Sequence, residues 1–193
     1  MVINDWHYDF YGHGFNWRKS NCRPNISYIG GTEMIYKDSG SRIFIHYGSP
    51  KYDQRKFDPV RGIHDKPRGG LWACNINTDY GWKEICVEYE WEDKLKTSFK
   101  FSLKRGAKVL RLKDPCDFRY LPIDIRKARS EIGWLSRNVF EISKYRFIDW
   151  EVLKRDMGID AVEYVRTPYS HDVFYTWDID SLVVLNPDVI IEK

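Results

Sequence analysis

Arg42-Ile43-Phe44-Ile45-His46-Tyr47-Gly48-Ser49-Pro50 is where the chain first declares a fold. β-Branched and aromatic residues run from Ile43 to Tyr47, and Gly48-Ser49-Pro50 then supplies turn chemistry. The segment reads as a short strand carrying a histidine near its end. Downstream, the polar stretch 51–66 contains Pro59 and Gly62 and reads as loop. Gly69-Gly70-Leu71-Trp72-Ala73-Cys74 follows as a glycine-led strand start, and residues 79–86 open a short helix. Residues 97–103 place Phe99, Phe101 and Leu103 on one face of a strand. Lys104-Arg105-Gly106 turns the chain into a second strand over 107–112. Residues 123–143 mix helix and loop. Ile148, Val152 and Leu153 predict a helix over 147–157, with Gly158 as its C-cap. Residues 159–165 read as a strand with Ile159, Ala161 and Glu163 alternating against Asp160, Val162 and Tyr164. Residues 181–185 read as a buried strand ended by Asn186-Pro187-Asp188.

Strands with a few helices set between them imply one α+β domain over residues 42–193. The first forty-one residues carry aromatics, Gly and Asn without a clean period. They read as an irregular extension packed on that domain, with His7 and Tyr11-Gly12-His13-Gly14 as loop residues. At 193 residues the chain has room for one substantial core. Hydrophobic content of 42% with 31% charged residues excludes a disordered chain. The net charge of +3 permits an anionic ligand or a nucleic acid without demanding either. Arg119, Arg126, Lys127, Arg129 and Arg137 read first as a solvated helical face. The four cysteines, Cys22, Cys74, Cys86 and Cys116, form no CxxC pair, which argues against a zinc site and for free thiols in a reducing cytosol. No apolar run is long enough to span a bilayer. Asn4, Asp5, His7 and Asp9 stand where the apolar core of a secretory signal would lie, so none is expected.

Three blocks draw chemical attention. The first is His46-Tyr47-Gly48-Ser49 at a strand end, where a histidine can hydrogen-bond a ribose hydroxyl and glycine lets the backbone approach a planar amide. The second is Lys66-Pro67-Arg68-Gly69-Gly70-Leu71-Trp72-Ala73, followed by Thr78, Tyr80 and Trp82. Glycines before an aromatic can present its face to a planar ring such as nicotinamide; core packing of Trp72 is the competing reading. The third runs from Trp177-Asp178-Ile179-Asp180-Ser181 to Val189-Ile190. An acidic residue at the mouth of a buried strand can stabilise the positive charge of a breaking glycosidic bond, whereas capping duty is the plainer use of Asp178 and Asp180.

In this order the three blocks resemble the ADP-ribosyltransferase superfamily of the diphtheria-toxin and poly(ADP-ribose) polymerase type. That family carries a His, an aromatic and a Glu on three separate strands of a split β-core. Ile45-His46-Tyr47-Gly48-Ser49 looks like its first motif, Gly70-Leu71-Trp72-Ala73 like its second with Trp72 at the Tyr position, and residues 182–190 like its final strand. The resemblance covers about residues 42–191. It implies NAD as co-substrate, no metal, and an ADP-ribosyl acceptor that is a protein or a nucleic acid. It also implies roles for individual residues. His46 holds the adenosine-side ribose and Gly48 the nicotinamide. Trp72 with Tyr80 or Trp82 clamps the ring, and Thr78 orients its amide. Arg68 or Lys51 meets the pyrophosphate.

The departure falls on the carboxylate. Counting back from Asn186-Pro187 puts Ser181 at the usual Glu position, with Asp180 beside it and Glu163 on the preceding strand as a second candidate. A one-residue shift would bring Asp180 into register but flip its side chain to the other face. A small transferase of this kind resembles bacterial or phage-encoded toxins, including those paired with an antitoxin and those of phage defence. The rival expectations are a silent NAD-binding module in which Ser181 replaces the acid, and a nucleic-acid binder stacking bases on exposed aromatics. The related RNA 2′-phosphotransferase would need more converging Arg and His residues than the sequence places together.

Overall fold

The strands form where β-branched and aromatic residues alternate or run together, and among the described residues eight of them join in one sheet. The structure, a computed structural model, describes residues 34–61, 66–113, 117, 121–134, 147–166 and 179–193. The strands are β1 (Ile35–Lys37), β2 (Phe44–Tyr47), β3 (Leu71–Asn75), β4 (Ser98–Leu103), β5 (Lys108–Leu112), β6 (Ala161–Tyr164), β7 (Ser181–Val184) and β8 (Ile190–Glu192). Three α-helices lie among the described residues: α1 (Trp82–Glu88), α2 (Ile125–Ile132) and α3 (Trp150–Arg155). The sheet order is β1-β5-β6-β7-β3-β2-β4-β8. Every neighbouring pair is antiparallel except β5 and β6, which run parallel. α2 and α3 occupy the long connection that a parallel pair requires. The protein is therefore α+β.

Alternation divides the core between the two faces. On one face Leu110, Leu112, Val162, Tyr164 and Val183 meet Trp150 and Leu153 of α3. On the other, Phe44, Phe99, Phe101, Leu103, Val109, Leu182 and Val184 pack together. Phe99, Phe101 and Leu103 share the latter cluster, as their spacing in β4 requires. Asp124 and Asp149 cap α2 and α3, accepting from the N–H groups of Lys127 (2.9 Å) and Val152 (3.0 Å). In α2, Arg126, Lys127 and Arg129 are exposed while Ala128 is buried, the solvated basic face that the sequence suggests.

Several boundaries differ from the sequence expectations. The sheet begins at β1, ahead of Arg42, because Ile35–Lys37 is too short a run to show alternation but finds an open edge on β5. The helix expected over 147–157 starts at Trp150: Ile148 instead bridges to Ile123, and Asp149 is the cap. Gly158, at φ +63, then turns the chain so that the Ile159 N–H reaches the Leu153 carbonyl at 3.0 Å. β6 alternates between the two faces, Val162 and Tyr164 joining one cluster and Ala161 the other. All four of its residues are buried, Glu163 included, because the strand lies inside the sheet with both faces covered. The closing stretch is two strands rather than one, since Pro187–Val189 forms a 3₁₀ turn before β8 crosses to the far edge beside β4. His7, the 11–14 loop, Gly62, Cys22, Cys116, Arg119, Arg137, Trp177 and Asp178 lie outside the described residues.

Candidate functional site

β2 and β3 are paired at only one end. Phe44 opposes Asn75 and Ile45 opposes Cys74. Beyond those residues His46 and Tyr47 pair only with Phe99 and Ser98 of β4, while Leu71–Ala73 pair only with Val184–Leu182 of β7. β3 thus passes from β7 to β2 along its length, and the sheet opens between His46 and Trp72. The imidazole spans this opening: His46 Nδ1 lies 2.7 Å from the Trp72 carbonyl oxygen. A carbonyl can only accept, so Nδ1 carries the proton, and in the neutral ring Nε2 is left as an acceptor. The ring also packs on Phe99, centroids 5.2 Å apart. One residue beyond β2, Gly48 sits at φ +104 with nothing within 4 Å of where a Cβ would stand. Its backbone is open to close approach.

The second block is held by its glycines. Gly69 and Gly70 adopt φ +73 and +70, and a Cβ on Gly69 would sit 2.3 Å from the Pro59 carbonyl oxygen. The turn they make lets the Trp72 indole N–H bond back to the Gly69 carbonyl at 3.0 Å. Trp72 is half-buried: one side joins the core near Val183, and the Lys66 ammonium lies 5.3 Å from its ring centroid.

The third block meets the loop after β3. The Asn77 N–H bonds the Asn75 side chain at 2.9 Å, and this turn delivers Thr78, whose hydroxyl donates to Asp180 Oδ2 at 2.6 Å. The Arg166 N–H donates to Oδ1, also at 2.6 Å, so both carboxylate oxygens are fixed. Gly81 backs this arrangement, since a Cβ there would lie 2.8 Å from Thr78 Cγ2. Ser181 follows Asp180 as the first residue of β7. Its hydroxyl bonds the Ile179 carbonyl at 2.9 Å. Thr78, Asp180, Ser181 and Glu163 line one cavity of about 310 Å³, together with Arg42 and Arg111. That volume is at the small end for a ligand site.

Glu163 is saturated. Its carboxylate accepts from Arg111 Nε at 2.7 Å, from the Tyr36 hydroxyl at 2.8 Å and from Arg42, which also grips the buried Asp38. Burial alone would raise its pKa; the Arg42 charge and the hydrogen bonds from Arg111 and Tyr36 outweigh burial and hold the group below the ordinary glutamate range. Burial and the adjacent Glu163 charge push the Tyr36 hydroxyl up. Sequence reasoning missed Tyr36, Asp38 and Arg111. The legible signal was Arg111 itself, a charge inside the apolar run Val109-Leu110-Arg111-Leu112.

The remaining residues lie elsewhere. The Arg166 guanidinium sits 5.0 Å from the Tyr80 ring centroid, and the Tyr80 hydroxyl bonds Glu88. Trp82, the first residue of α1, packs near Trp91 at 6.4 Å. Ser49 bonds the Lys51 carbonyl at 2.7 Å, and Lys51 and Arg68 are exposed. None of His46, Gly48, Ser49, Lys51, Arg68, Gly70, Trp72, Tyr80 and Trp82 lines the cavity. The structure therefore shows two groupings: His46 with Trp72 at the opening of the sheet, and Thr78 with Asp180, Ser181 and Glu163 around the cavity. Comparison with protein families, curated proteins and solved structures finds no match. Among the described residues no three His, Cys, Asp or Glu side chains gather as a metal site, and no helix is long and apolar enough to cross a membrane. Cys74 and Cys86 are buried free thiols.

Proposed function

We propose that the chain is an NAD-consuming mono-ADP-ribosyltransferase built on a split β-core. One observation carries the reading: β7, β3 and β2, which hold the three motif blocks, are consecutive in the sheet, and the sheet opens between His46 and Trp72. Blocks tens of residues apart in the chain lie on neighbouring strands, and the family carries its motifs on three separate strands of a split β-core.

At this opening the His46 Nε2 accepts a ribose hydroxyl, and the unobstructed backbone of Gly48 meets the nicotinamide amide. The Trp72 carbonyl fixes the imidazole, while the Trp72 indole lies with Val183 on the other face of the sheet. Asp180, which lines the cavity rather than the opening, is the carboxylate that reaches C1′, steadied by Thr78; Glu163, occupied by three donors, keeps a structural part. In the step itself the bond between ribose C1′ and nicotinamide breaks, and its electron pair leaves on the ring nitrogen. The cationic charge on C1′ is stabilised by the Asp180 carboxylate, and an acceptor lone pair then bonds C1′ with loss of its proton. The acceptor is a protein or a nucleic acid, in keeping with a toxin of a toxin–antitoxin or phage-defence system acting in the cytoplasm.

A silent NAD-binding module is the second reading, favoured by Ser181 at the expected Glu position with its hydroxyl turned to the Ile179 carbonyl. Nicotinamide release by the purified protein, compared with His46→Ala and Asp180→Asn, separates the two. Release lost in both variants supports the transferase. Saturable NAD binding without release supports the module.

A further inference from the structure

The segment Val87-Glu88-Tyr89-Glu90-Trp91-Glu92-Asp93, at the end of α1 and into the following 3₁₀ turn, exposes an aromatic surface among carboxylates. Tyr89 is 56% and Trp91 41% exposed, with Val87 at 53% beside them. Glu90, at φ +58, folds the chain back so that the Tyr89 and Trp91 rings stack with centroids 5.2 Å apart. Trp82 extends the cluster, 6.4 Å from Trp91. Isolated exposed aromatics need no explanation, but several in contact mark an interaction surface.

The occupant follows from charge. Residues 82–96 carry five carboxylates (Glu84, Glu88, Glu90, Glu92, Asp93) against three lysines (Lys83, Lys94, Lys96), a net negative patch on a chain whose overall charge is +3. Such a field repels a phosphate backbone, which sets aside base stacking at this place. The aromatic faces already attract cations, since the Lys94 ammonium lies 4.0 Å from the Trp91 centroid and 5.6 Å from that of Trp82. A guanidinium can do more than an ammonium here: it stacks flat on an indole or phenol and forms paired bonds to a neighbouring carboxylate. We propose that this surface docks an arginine-rich segment of a partner protein. It stands apart from the NAD reading and does not depend on it.

The test is titration of the intact protein with a labelled Arg–Gly repeat peptide, a matched Lys–Gly peptide and single-stranded oligouridylate, read by anisotropy. The expected result is saturable binding of the Arg peptide, at least about fivefold tighter than the Lys peptide. Tyr89→Ala with Trp91→Ala should weaken it at least about tenfold. So should Glu90→Gln with Glu92→Gln, two exposed carboxylates that make no side-chain hydrogen bond among the described residues, while near-ultraviolet dichroism reports an intact fold. Equal affinity for both peptides, binding untouched by either variant pair, no saturable binding, or oligouridylate binding lost with Tyr89 and Trp91 would each overturn the proposal.

Discussion

Replacing Glu163 by Gln tests whether this carboxylate holds the sheet together or performs chemistry. The side chain is 10% exposed and faces two guanidiniums and the Tyr36 hydroxyl, so neutralising it leaves Arg42 and Arg111 short of their shared counter-charge. Breaking a buried pair from one side costs about 3–5 kcal/mol. Gln keeps one carbonyl acceptor, which places the expected loss near the lower figure, about 3 kcal/mol at pH 7. For a chain of this size that corresponds to a fall in Tm of about 6–12 °C. The pH dependence has a definite sign. The folded-state pKa is depressed by Arg42, Arg111 and Tyr36 against the opposing effect of burial. The stabilisation is therefore complete above the unfolded-state value of about 4.3 and is lost as pH falls through the lower folded-state value. Urea midpoints of the two proteins should lie far apart at pH 7 and converge on acidification below about pH 4. A gap under about 1 kcal/mol at pH 7, or one that does not narrow in acid, would refute the ion-network account. Folded Glu163→Gln protein should also retain nicotinamide release. Loss of turnover without loss of stability would make Glu163 the catalytic carboxylate instead.

Thr78→Val should lower kcat for nicotinamide release about a hundredfold while leaving NAD affinity nearly unchanged, because it loosens Asp180 rather than a substrate contact. Thr78→Ser should restore most of the rate, and an effect on affinity alone would return Thr78 to the nicotinamide amide. Gly81→Ala should mimic Thr78→Val in the parent but do much less in the Thr78→Ser background, which lacks the Cγ2 it would crowd; steady-state kinetics on the four proteins decides. Gly69→Ala should cost more than about 2 kcal/mol in urea unfolding, since both its positive φ and the Pro59 carbonyl oppose a side chain. Ser102→Ala should be neutral or slightly stabilising in the same assay, because the Ser102 hydroxyl is buried without a hydrogen-bond partner.

The elements legible in the sequence were those whose local signals agreed with their place in the sheet. Gly69-Gly70 announced β3, Lys104-Arg105-Gly106 announced the turn between β4 and β5, and the apolar run from Ser181 announced β7. β6 was legible as a strand, with Ala161 and Val162 on opposite faces as its alternation requires, but nothing in its sequence marks that both faces are covered. β1 and β8 were hidden by their length, three residues each, and exist because a neighbouring edge was free. His46 and Trp72 were legible as motif residues, but the bond between them depends on where β2 and β3 part, a property of the assembled sheet. The Glu163 network was illegible for a similar reason. Tyr36 with Arg42, Arg111 and Glu163 come from three separated parts of the chain, and only the order β1-β5-β6 makes Tyr36, Arg111 and Glu163 neighbours.

The most direct test of the central claim is nicotinamide release from NAD by the purified protein, measured alongside His46→Ala and Asp180→Asn with protein stability checked in each. A transferase opened between β2 and β3 predicts release by the parent that falls at least about a hundredfold in both stable variants. Parent protein that releases no nicotinamide, with or without cellular RNA and protein as acceptors, or release that survives in both variants, would contradict it.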